Sequence, residues 1–64
     1  MDSRTVIRLL EEAGWTLVRV TGSHHHFRHP DRPGTTTVAH PTKDIPPGTL
    51  RSIARQSGIA LRKD

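Results

Sequence analysis

Cysteine is absent from the 64-residue chain, and apart from histidine it carries two aromatic residues, Trp15 and Phe27. Without cysteine there is no disulfide framework, the usual brace of very small secreted domains, which suits a reducing, cytoplasmic setting. No apolar run approaches the roughly 20 residues that a membrane span needs. The opening segment MDSRTVIRLLEE lacks a basic stretch followed by an apolar one, so no secretory signal and no membrane partner are expected. Carboxylates are few and scattered. Paired-carboxylate hydrolysis and two-metal nuclease chemistry are therefore poorly supported. The glycine pattern of a phosphate-binding loop and a usable Ser/His/Asp set are also missing.

What is present is positive charge. Ten Lys and Arg stand against six Asp and Glu, a net charge of +4 with five further histidines counted neutral. A small basic domain suggests a polyanionic partner, nucleic acid first, although charge of this kind can also serve solubility alone. The length allows one domain over residues 1–64, with a thin core: a domain of this size buries only about 60% of its unfolded surface.

The apolar residues fall in periodic groups. Val6, Ile7, Leu9 and Leu10 predict a helix over Ser3–Ala13, capped by Ser3 and stopped at Gly14. Trp15–Thr21 and His24–His29 are short and strand-like, and Gly22-Ser23 between them predicts an antiparallel hairpin. The run PDRPG at 30–34 reads as turn, and Thr35–His40 as a third strand. Pro46, Pro47 and Gly48 precede a second helix with Leu50, Ile53 and Ala54 on its apolar stripe, ending at Gly58. Ile59 is expected to fold back on that stripe, and residues 60–64 to fray. The order α-β-β-β-α predicts an α+β two-layer sandwich. Both helices would cover one face of a three-stranded antiparallel sheet, as in a double-stranded RNA-binding domain, leaving the other face open.

The segment Gly22-Ser23-His24-His25-His26-Phe27 is the anomaly. The only Phe of an aromatic-poor chain should point into the core. Strand alternation then sends His25 and His29 inward with it and puts His24, His26 and Arg28 on the open face. An imidazole both takes and gives a proton near neutral pH, and a guanidinium can hold a phosphate in two-pronged fashion. The competing readings are plain polar strand residues, or zinc held by His24, His26 and His40, for which a fourth ligand is not obvious. Lying between two strand-like segments, the run is not read as a tag remnant. Gly22 can serve the turn, or let a nucleic-acid backbone come close ahead of the Ser23 hydroxyl. Lys43 and Arg51 flank the loop before the second helix, where an anion could lie near its N-terminus. Arg19 is compatible with either face.

Three stretches together resemble the HicA (YcfA-like) toxins of bacterial toxin–antitoxin pairs over about residues 3–59. They are the first helix running into Gly14-Trp15 and Leu17-Val18-Arg19, GSHHHF at 22–27, and VAHPTKDIPPGTLRSI followed by QSGI. The resemblance implies a small ribonuclease that cuts mRNA, uses the His of Gly-Ser-His (here His24) and is covered on its active face by a HicB antitoxin. In that reading His24 is the general base and His26 the first candidate for a second proton carrier. Gly22, Ser23, Arg28, Lys43 and Arg51 contact RNA, and no cofactor or metal takes part. The alternative is a non-catalytic RNA-binding module of the same fold. One departure is Ala39, where the family often has Pro. Its loss is expected to loosen the end of the third strand and blur the position of His40.

Overall fold

A computed structural model describes residues 1–61. Its elements are helix α1 (Ser3–Glu12), strands β1 (Thr16–Thr21), β2 (His24–His29) and β3 (Arg32–Ala39), and helix α2 (Pro47–Ser57). The sheet is antiparallel in the order β1-β2-β3, and both helices pack against β3. The α+β two-layer arrangement expected from the sequence is the one observed.

Each helix buries the stripe that its spacing marks out. Val6 and Leu10 of α1, with Leu50 and Ile53 of α2, meet Phe27 and Val38 of the sheet in one core. Trp15 and Ile45 complete it from outside the regular elements. Ile59 packs against the core from the far side of Gly58, whose φ of 75° ends α2 in the left-handed conformation. Leu61 also packs there, so the tail is tied down at that point, and residues 62–64 of the expected frayed segment lie outside the described residues.

Several boundaries differ from the sequence reading, for local reasons. The cap of α1 is Asp2 rather than Ser3: Asp2 is extended, and its carboxylate accepts the Thr5 N–H at 3.1 Å. Hydrogen bonding with Thr5, through its side chain first and its backbone second, holds the Asp2 carboxyl below its ordinary pKa. Ser3 instead turns inward. Its Oγ accepts the Thr42 N–H at 2.8 Å and lies 2.7 Å from His40 Nδ1. Strand β3 begins at Arg32, three residues earlier than expected, because Pro33 and Gly34 are accommodated in an irregular stretch of the β2–β3 ladder. Pro in the first turn of α2 leaves no amide unsatisfied, so Pro47 and Gly48 belong to the helix and Pro46 is its N-cap.

The loop from Pro41 to Pro46 is pinned by the chain's own start. Ser3 N–H donates to the Thr42 carbonyl and Ile45 N–H to the Met1 carbonyl, both at 2.9 Å. The N-terminal ammonium meets Asp44 at 3.1 Å. These bonds carry Ile45 into the core, a position that no periodicity marks.

Strand β1 buries little of its surface. Leu17, Val18 and Val20 are 42%, 54% and 49% exposed, so β1 contributes its ladder rather than its side chains to the core. Only Trp15, just before it, is buried. Residues Leu17 and Arg19 pair with the consecutive residues Phe27 and His26, which leaves Val18 as the extra residue of a β-bulge.

Two outcomes follow for stability. Asp2→Ala lowers the melting temperature at neutral pH. Because the folded-state pKa of Asp2 is depressed, its contribution is present above the unfolded pKa and is lost as pH falls through the folded value. Circular-dichroism melts of the two proteins should therefore converge in acid. Ser3→Ala leaves the half-buried Thr42 amide without its partner and removes the His40 partner, for a loss of about 1 kcal/mol in urea unfolding.

Candidate active site on the open sheet face

The β1–β2 hairpin places the histidine run. Gly22-Ser23 is a two-residue loop with glycine first, at φ 59°, and Thr21 pairs with His24 across it. From there alternation along β2 is enforced at one residue. Phe27 is 0% exposed, opposite Leu17 and Thr36. His25, opposite Val38, shares its side, and His24, His26 and Arg28 take the other.

The five histidines then divide by role. His29 is structural: Nε2–H donates to the Ala13 carbonyl at 3.0 Å while Nδ1 accepts the Asp31 amide at 3.0 Å. Its ring also packs on Trp15, with centroids 5.4 Å apart. The same ring explains Gly14, since a Cβ there would lie 2.8 Å from His29 Nε2 in a backbone of φ +99°. His25 and His40 meet edge to face at 5.0 Å on the helix side. His40 is anchored through Ser3, and its N–H donates to the Ser23 carbonyl at 2.8 Å, so alanine at 39 leaves its position well defined.

His24 and His26 remain on the open face, with ring centroids 6.5 Å apart. His24 is exposed and its ring makes no hydrogen bond within the described residues. His26 is half-buried. Its Nδ1 is 3.0 Å from Thr37 Oγ1, and its Nε2 is buried without a partner. Among the described residues the other such atom is the hydroxyl of Thr36, inside the core. Among the described residues no three His, Asp or Glu side chains form a group able to hold a metal ion.

The remaining residues singled out in the sequence do not all gather here. Gly22 has nothing within 4 Å of where a Cβ would stand, and Ser23 is exposed beside it, so the approach to His24 is open. Arg28 lies beside His26, lining one open pocket of about 250 Å³ with Val18, Arg19 and Thr35. Lys43 lines a different hollow with Asp2, Ser3, Arg4 and His40, and Arg51 a third with Met1, Asp44, Ile45 and Leu61. The residue that the sequence reading left unplaced is Arg19. The Val18 bulge turns it onto the face of Arg28 rather than towards the helices, and no periodicity argument could have shown that, because a bulge breaks the period. All three strands are free of Asp and Glu. The open face is thus basic, with no carboxylate on the sheet to neutralise it.

A comparison with curated proteins gives no match. Among solved structures, the chain is similar to one in a "HicA3 and HicB3 toxin-antitoxin complex", with 36% identity and a TM-score of 0.81 over 97% of this chain and all of that one. The sequence model described as "HicA toxin of bacterial toxin-antitoxin" matches residues 3–59. The family model covers most of the chain and the fold agrees with it: the chain belongs to the HicA toxin family.

Proposed function

We propose that this protein is a metal-independent endoribonuclease that cuts mRNA, and so arrests translation and growth, with His24 as the general base. The observation that carries the reading is the setting of His24: an exposed imidazole without a hydrogen-bond partner, on a basic sheet face, beside an unobstructed glycine turn. A base must be neutral and reachable to accept a proton, and a ring committed to structural hydrogen bonds, such as that of His29, is neither as free nor as accessible.

In the proposed reaction neutral His24 takes the proton of a ribose 2′-OH. The 2′ oxygen attacks the adjacent phosphorus, and the P–O5′ bond breaks. A second group returns a proton to the departing 5′ oxygen. The products are a 2′,3′-cyclic phosphate and a 5′-OH end. His26 is the first candidate for that second proton carrier, since it shares the face of His24 and its Nδ1 is oriented by Thr37. Arg28 holds phosphate, with the Gly22-Ser23 turn as a backbone contact. Lys43 and Arg51 serve an RNA long enough to pass beyond the sheet face. Trp15 and Phe27 are both buried, which leaves no Trp, Tyr or Phe on the face to stack a base. Discrimination between sequences should be weak.

The partner in this reading is a HicB antitoxin lying over the active face. The similar solved chain comes from a toxin–antitoxin complex, which supports a partner of that type here.

The deciding experiment incubates single-stranded RNA with the protein and excess EDTA. Cleavage to cyclic-phosphate ends is expected. His24→Ala should cut about 10²–10⁴-fold more slowly and no longer arrest growth, with an unchanged melting temperature, as befits loss of a positioned acid–base group. Full activity in His24→Ala rules out this base. A gel shift without cleavage by the unaltered protein favours the RNA-binding module instead.

A further inference from the structure

The pocket beside His26 has the makings of a second, separate anion site. His26 stands at its centre in the register: Arg19 is its partner on β1, Thr37 its partner on β3, and Arg28 lies two residues along β2 on the same face. Neither arginine makes an ion pair or hydrogen bond within the described residues. Like charges brought to one sheet surface repel, and a native structure ordinarily separates them or supplies a carboxylate. Here the opposite arrangement is built in. A bulge at Val18 brings the second guanidinium round to the first, and the strands contain no acid to offset them.

The imidazole adds an independent indication. The ring's Nδ1 lies 3.0 Å from the Thr37 hydroxyl, and its Nε2 is buried without a hydrogen-bond partner. A buried polar atom left unpaired costs free energy, and such atoms are rare enough to call for an explanation. Two unpaired guanidinium groups line this pocket with the His26 ring, and among the described residues no carboxylate lines it. A phosphodiester, with two non-bridging oxygens sharing one negative charge, complements it.

We propose that the pocket lined by Arg19, His26 and Arg28 binds the phosphodiester next to the one cleaved at His24, so that RNA crosses the open face from the Gly22 turn towards Arg28. This rests on RNA being the substrate. The assignment makes Arg19 a binding residue and gives the RNA path a direction along β2. It also separates the roles of the two histidines. His24 meets the reacting ribose, and His26 lies beside the neighbouring linkage.

The test measures binding of a fluorescein-labelled single-stranded RNA by anisotropy across a salt series, in a His24→Ala background that does not consume the probe. Arg19→Gln and Arg28→Gln should each weaken binding about fourfold near 0.15 M salt, and each should reduce the slope of log affinity against log salt by about 0.7. Arg55→Gln, which removes the same charge from exposed α2, should change neither. Unchanged affinity and slope in Arg19→Gln/Arg28→Gln, with RNA still bound, overturn the proposal. So does a double variant that binds RNA normally but no longer binds the antitoxin, an outcome that assigns the pocket to a protein carboxylate. An unaltered protein that binds RNA through these arginines yet leaves it intact sinks the ribonuclease reading while the pocket stands.

Discussion

Burial of Phe27 is the constraint on which the rest depends. The chain is poor in large apolar groups, and its sheet has one covered face and one bare one. Removing a phenylalanine from water is worth about 1.5–3 kcal/mol, a large share of what a domain this small can hold in reserve. A slip of one residue along β2 would forfeit that burial and also exchange the two sets of histidines, because side chains alternate strictly along a strand. The packing of one ring therefore decides which imidazoles meet solvent. Chemistry on the outer face is set by hydrophobic contact on the inner one.

Around that pin the histidine run is less uniform than its spelling suggests. His29 is fixed in one tautomer by a carbonyl on one side and an amide on the other, and it lies against Trp15. His40 closes a link between α1 and the end of β3 through Ser3. These two act as joints, and their nitrogens are spoken for. His24 makes no such commitment. Adjacent residues of the same type have been sorted into support and availability by nothing more than strand parity and the neighbours that parity selects.

Much of this could be read from the residues. Helix spacing, the Gly22-Ser23 turn, the left-handed stops and the parity of β2 each follow from local rules that tertiary contacts do not overturn here. The places where reading failed share a cause. Asp2 displaced Ser3 as the cap because Ser3 was needed by Thr42 and His40, some forty residues away. Ile45 entered the core on backbone bonds to the chain's start. Arg19 reached the open face through a bulge, which local sequence does not announce. In the candidate site, His24, His26 and Arg28 were legible because alternation alone places them. Lys43 and Arg51 were chosen for charge and proximity in sequence, and the fold sets them in hollows of their own.

The bare margin of β1 carries one more consequence. Among the described residues its outer backbone groups have no neighbouring strand, and Leu17, Val18 and Val20 are exposed along it, which together make a template for strand addition between molecules. Arg19 is the one charge along that strand, so the guanidinium that helps gather anions also serves as a guard against self-association. Whatever neutralises it, whether a bound polyanion or a substitution, lowers the colloidal barrier between copies of the free toxin. Handling the protein alone at high concentration and low net charge should favour gels or fibrils over clear solution.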